Sequence, residues 1–96
     1  MGISEIIATR REAILATAAR HGVTRIKVFG SVARGDARDD SDVDFLVEVG
    51  PQHSAFFSGG LVADLEEILE RRVDVVEPEG LHPLLKERIL REAVPV

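Results

Sequence analysis

The spacing of apolar positions changes several times along the chain, and each change marks an element. From Ser4 to about Arg20, Ile7, Ile14, Leu15 and Ala18 recur at helical intervals, with Ser4 placed as an N-cap and Gly22 as the C-terminal stop. Ile26 to Phe29 is a short apolar, β-prone run. Asp42 to Val49 then alternates with a period of two, so Val43, Phe45, Val47 and Val49 share a buried strand face while Asp42 and Asp44 fall together on the other. Leu61, Leu65, Ile68 and Leu69 return to helical spacing as far as Glu70 or Arg71, and Arg72 to Val76 reads as a third strand. Behind Pro83, a residue suited to a first helical turn, Leu81, Leu84, Leu85, Ile89 and Leu90 predict a closing helix from Leu81 to Glu92 that Pro95 ends.

Between these elements lie one helical turn at Val32 to Gly35, a charged loop from Asp36 to Ser41, and a loop rich in Pro, Gln, Ser and Gly from Gly50 to Gly60 that Phe56 and Phe57 interrupt. The order α-β-α-β-α-β-α predicts an α+β fold, a small mixed β-sheet of about three strands flanked by helices. A helix between strands two and three permits parallel pairing. If strand one runs antiparallel to strand two, then Gly30-Ser31, Asp42, Asp44 and Asp74 reach one edge of the sheet from four separate elements.

That edge is where the chemistry concentrates. Ile26 to Phe29 feeds directly into Gly30-Ser31, where small residues let backbone approach a ligand and backbone N–H groups with the Ser31 hydroxyl form an anion seat. Asp42 and Asp44, on one strand face, have Cβ atoms roughly 6 to 7 Å apart. Two ionised carboxylates so placed repel, and a hard divalent cation removes the penalty. Oxygen ligands alone favour Mg²⁺ or Mn²⁺ over zinc, with water and substrate phosphates completing the shell. Asp74 returns a third carboxylate in a β-branched run; the alternative for it is an edge-strand aspartate facing water. Arg34 is the cation best placed to reach a phosphate, and a surface ion pair with Asp36 or Asp39 competes for it. Asp36, Asp39 and Asp40 read as solvated loop residues, and the glycine and terminal glutamate of a calcium loop are missing. His21 reads as a residue at a helix C-terminus rather than a general base. His53 and His82 lack partners at metal-ligand spacing.

The joint pattern Gly-Ser, ten residues, Asp-x-Asp resembles the signature of the DNA polymerase β-type nucleotidyltransferase superfamily, and in particular its minimal nucleotidyltransferases. Gly30-Ser31-Val32-Ala33-Arg34-Gly35-Asp36 and Ser41-Asp42-Val43-Asp44-Phe45-Leu46-Val47 carry the likeness, which extends through Val73-Asp74-Val75 to the final Ile89-Leu90-x-Glu92-Ala93-Val94. The acidic Asp39-Asp40 stands where many relatives have proline. The resemblance implies a polymerase β-like fold and a type VII antitoxin that transfers AMP from ATP to a tyrosine of a HEPN-domain toxin. It further implies that Asp42, Asp44 and Asp74 hold two Mg²⁺ ions and act in catalysis, with Gly30, Ser31 and Arg34 on the nucleotide.

Composition narrows the alternatives. The chain has 96 residues, enough for one core, so residues 1–96 are expected to form a single domain. No apolar run reaches membrane-spanning length and no signal peptide is expected; the absence of cysteine removes disulfides and thiolate metal sites and suits the cytoplasm. A net charge of −5 with no Trp or Tyr argues against direct nucleic-acid binding through a basic or stacking surface. The competing function is a catalytically weak binding module that neutralises a partner by contact through Phe56, Phe57 and exposed helices. Glycosyl transfer through Asp-x-Asp would need a sugar-nucleotide domain that the chain is too short to contain. The same shortness implies that the acceptor is presented by another macromolecule.

Overall fold

The computed structural model describes residues 2–51 and 57–96. Helices α1 (Ile3–Thr9) and α2 (Arg11–Arg20) precede strand β1 (Val23–Phe29), the short helix α3 (Gly30–Arg34) and strand β2 (Val43–Val49). Helix α4 (Phe57–Leu69), strand β3 (Val73–Val76), a 3-10 turn at Pro78–Gly80, helix α5 (Pro83–Glu92) and a two-residue strand β4 (Val94–Pro95) complete the order. The fold class is α+β, as the spacing predicts, but the mixed sheet has four strands in the order β3-β2-β1-β4. β1 is antiparallel to both β2 and β4, whereas β2 and β3 are parallel across the α4 crossover. The extra strand escapes the hydrophobic pattern because it is short and contains Pro95, a residue confined to sheet edges because it cannot donate to a ladder.

Other departures also have local causes. The first helix is two, broken at Arg10, and its N-cap is Gly2 rather than Ser4. α4 begins at Phe57, so the last residues of the expected Gly50–Gly60 loop are helical. β1 extends back to Val23, whose burial its exposed neighbours Thr24 and Arg25 conceal from a simple apolar-run reading. Leu81 lies outside α5, and His82 caps that helix by accepting the Leu84 N–H on Nδ1 at 3.3 Å. The readings of His53 and Phe56, and of the Phe57 side chain, fall outside the described residues.

One face of the sheet carries the core. Val43, Phe45 and Val47 of β2, with Ile26 and Val28 of β1, pack against Ile14 and Ala18 of α2 and Leu61, Leu65 and Leu69 of α4. The other face is covered only in part: Leu46 and Phe29 are buried there, yet α5 buries none of its own residues and leaves Leu84 77 % exposed. No described helix is long and apolar enough to cross a membrane.

This asymmetry gives a direct expectation. Leu65→Ala, at a fully buried position, should cost about 2 to 5 kcal/mol of unfolding free energy, the range for deleting a core leucine. Leu84→Ala should change it by no more than about 0.5 kcal/mol. Urea denaturation followed by circular dichroism measures both.

Candidate active site at the Gly30 and Asp44 edge

The end of β1, the start of β2 and the start of β3 lie in one row. Phe29 pairs with Asp44 across the antiparallel ladder, and Asp44 pairs with Asp74 across the parallel one. Paired residues share a sheet face, so Asp44 and Asp74 project side by side. β3 is the edge strand and Asp74 is exposed, so it both faces water and stands next to Asp44.

Gly30 follows immediately after Phe29. Its φ of +74° lies in the left-handed region, and a Cβ on it would sit 2.3 Å from Asp44 Oδ2. Glycine is therefore required twice over, for backbone conformation and for the space the carboxylate occupies. The chain then makes the single turn α3 and leaves it at Gly35, also left-handed with φ +82°, whose cap closes onto the carbonyls of Ser31 and Val32. Ser31 lies in the first turn of α3, beside Gly30, and borders the same cavity as Asp44.

Burial first, and then the charges of Asp74 and Asp42, push the Asp44 carboxyl above the usual carboxylate range; Arg34 opposes them. This carboxylate is short of positive charge, which is the condition a bound cation relieves. The donors are carboxylate oxygens alone, a set that fits Mg²⁺ or Mn²⁺. As the side chains stand, no three acidic or histidine groups among the described residues are gathered into a complete cation cage. Asp42, exposed at the mouth of β2, places Oδ1 3.3 Å from Nε of Arg72, the residue before β3.

Of the surface ion pairs weighed for Arg34, the one with Asp36 forms, at 3.4 Å, and among the described residues the one with Asp39 does not. Its shorter partner is one that sequence spacing gave no means to anticipate, Glu92 at the end of α5. Arg34 Nη1 donates to Glu92 Oε1 at 2.7 Å, and the Gly30 N–H donates to Oε2 at 3.0 Å. The hydrogen bond from Arg34 holds the Glu92 carboxyl below its ordinary range, and Glu92 in turn raises Arg34. The nearest clue in the sequence is a carboxylate in the last helical turn, where the helix dipole disfavours it.

The remaining singled-out residues lie elsewhere. Asp39 and Asp40 are exposed, and the Asp39 carbonyl accepts from Arg71 Nη1 at 2.5 Å, which ties the charged loop to the end of α4. His21 bonds to Asp64 Oδ2 at 2.8 Å and joins α2 to α4 at the opposite end of β1 from Gly30. A cavity of about 480 Å³ opens nearby between α2 and α4, among Thr17, Asp64 and Glu67, but it lacks the row of carboxylates and the glycine turn. The cavity at the sheet edge is about 330 Å³ and is bounded by Gly30, Ser31, Arg34, Asp44, Ile89 and Glu92.

Gly30→Ala and Gly35→Ala separate the two demands on Gly30. Both impose a left-handed conformation on a residue with a Cβ, which costs about 1 to 2 kcal/mol. Gly35 has open space beside it, so Gly35→Ala should lose that amount alone. Gly30→Ala should lose more, because Asp44 must also move. Paired urea unfolding curves give the difference.

Comparison with known proteins shows the family. The model of the nucleotidyltransferase domain family matches residues 10–96. A Methanocaldococcus jannaschii chain provisionally named a protein adenylyltransferase is 44 % identical over 96 residues, covering 100 % of this chain and 99 % of its own. The protein adenylyltransferase MntA of Thermococcus cleftensis is 43 % identical over 75 residues, 78 % of this chain and 76 % of that one. Among solved structures, one described provisionally as a minimal nucleotidyltransferase superposes with a TM-score of 0.87 at 48 % identity, covering 100 % of this chain and 97 % of that one. A toxin–antitoxin crystal structure with AMP-PNP shares the fold, with a TM-score of 0.73 at 20 % identity over 88 % of this chain and 69 % of that one.

Proposed function

Because the chain belongs to the nucleotidyltransferase domain family, we propose that it is an Mg²⁺-dependent protein adenylyltransferase that moves AMP from ATP to a hydroxyl, a tyrosine of a HEPN-domain toxin, and so acts as its antitoxin in the cytoplasm. The observation that carries the reading is the row in which Asp44 lies between Phe29 and Asp74 with its carboxylate against the backbone of Gly30. Carboxylates for a cation and donors for a phosphate are thereby set side by side. The relatives named protein adenylyltransferases support the choice of AMP, and the toxin–antitoxin neighbours support the kind of acceptor.

In this reading the Gly30 N–H, the Ser31 hydroxyl and the Arg34 guanidinium donate to the β- and γ-phosphates. Asp42, Asp44 and Asp74 would hold the divalent ions, whose chemistry is to neutralise the triphosphate and favour in-line displacement. Asp74, exposed at the edge, accepts the proton of the attacking hydroxyl. The hydroxyl oxygen bonds to the α-phosphorus, the bond from that phosphorus to the bridging oxygen breaks, and pyrophosphate leaves. The acceptor is left as an AMP diester. A contact-only antitoxin is the second reading, favoured by the apolar surface of α5, where Leu84 and Leu85 are 77 % and 51 % exposed.

Asp42→Asn and Asp44→Asn change charge with little change in volume, so each should keep the fold and abolish transfer of label from ATP to the partner. Ser31→Ala should be milder, losing about 1 to 2 kcal/mol of transition-state binding for one hydrogen bond to a charged group. Time courses with radiolabelled ATP rank the three; wild-type rates in both asparagine variants would remove the assignment of the carboxylates.

Catalysis and contact also differ in what they leave behind. Brief treatment of the toxin with this protein, ATP and Mg²⁺ should add mass in steps of AMP, and inactivation should outlast removal of the protein. The added negative charge and bulk would repel RNA phosphate without any antitoxin bound. Intact-mass spectrometry and an RNase assay on the repurified toxin test this, and unmodified toxin with full activity would leave the contact reading in its place.

A further inference from the structure

The last residue of α5 sets a carboxylate on the same donors that the proposed reaction assigns to phosphate. Glu92 accepts from the Gly30 N–H through one oxygen at 3.0 Å and from Arg34 through the other at 2.7 Å. Its side chain is only 16 % exposed, although no residue of its helix is buried. Carboxylate and phosphate oxygens engage N–H groups and guanidinium in the same way, as strong charge-assisted acceptors. The single Gly30 N–H cannot serve both at once, and a Glu92 carboxylate held on Arg34 Nη1 sets a negative charge where the phosphate would sit.

We propose that Glu92 is an internal competitor for the nucleotide's phosphates: a plug on α5 that must withdraw from Gly30 and Arg34 before a triphosphate can be seated. The proposal rests on the nucleotide reading of the site and adds how access to it is regulated. Its position in the last turn of α5 sets the Glu92 anion against the dipole of its own helix, because the unpaired carbonyls there repel negative charge. Its hydrogen bonds are to Gly30 and Arg34 of α3, and Arg88, one turn back on α5, adds a favourable charge. α5 buries none of its own residues and leaves Leu84, Leu85 and Leu90 exposed, while β4 holds the chain beyond it to β1, so withdrawal needs only the Glu92 side chain to turn away. The plug also adds a negative charge that raises the Asp44 carboxyl. Its withdrawal therefore frees two phosphate donors and removes one repulsion from Asp44 in a single movement.

Apparent affinity falls by the fraction of molecules that are open, so a plug seated nine-tenths of the time weakens binding about tenfold. Wild type, Glu92→Gln and Glu92→Ala should each be titrated with inorganic tripolyphosphate and with ATP in Mg²⁺, following the Gly30 backbone amide by ¹⁵N NMR and checking the fold by thermal melting. Both variants should bind both anions about tenfold more tightly than wild type. Glu92→Asp keeps the charge but shortens its reach by one methylene; it should fall between, and it serves as the readout if the other variants do not fold. Tripolyphosphate and ATP bound no more tightly by the variants would overturn the plug while leaving the nucleotide reading intact. Tighter tripolyphosphate with no ATP binding in any chain would keep the plug and remove the nucleotide reading. Neither anion binding to any chain would remove both.

Discussion

The approach of the Asp44 carboxylate to the backbone of Gly30 is the constraint on which the rest of the site depends. The contact leaves no room for a Cβ and demands a left-handed residue at the one point where β1 must turn sharply into α3. It also fixes what surrounds the carboxylate. Being partly buried against backbone, Asp44 cannot disperse its charge into water, and it feels Asp74 and Asp42 more strongly than an exposed group would. A stretch of chain that only had to fold would gain by replacing Asp44 with a neutral residue of similar size.

The main core makes this strained edge tenable. Val43, Phe45 and Val47 are fully buried, so β2 cannot slip by one residue without moving its apolar set to the wrong face. Register is what aligns Phe29, Asp44 and Asp74, and it is held from behind by α2 and α4. Stability and chemistry are thus divided between the two faces of one sheet. The face with α2 and α4 supplies the burial, and the face with α5 retains exposed groups.

How much of this was legible in the sequence follows from the range of each interaction. Period-two alternation in Asp42 to Val49 identified the buried face and put both aspartates on the other, because strand geometry is local. The parallel return through α4 brought Asp74 within reach of argument, since a strand, helix and strand in succession allow few arrangements. Glu92 was different. Its partners are 58 and 62 positions away, and the spacing of Leu84, Leu85, Ile89 and Leu90 suggested a helix that closes a core, whereas α5 buries nothing. β4 was hidden for a related reason, because an edge pairing of two residues, one of them proline, leaves no periodic trace. The ion pair between Asp42 and Arg72 joins two strand entrances that only the parallel register makes neighbours.

Size limits what the site can enclose. A cavity of about 330 Å³ is at the small end of the range for ligand pockets. On the proposed reading, the acceptor hydroxyl therefore has to arrive on the surface of another molecule, at the open side where Asp74 is exposed. Leu85 and Ile89 of α5 border that cavity, and Leu85 is half exposed. A partner that covered this surface would remove water from the acids while leaving the phosphate seat to Gly30, Ser31 and Arg34. The small chain would then act as half of an active site whose other half is brought by the molecule it modifies.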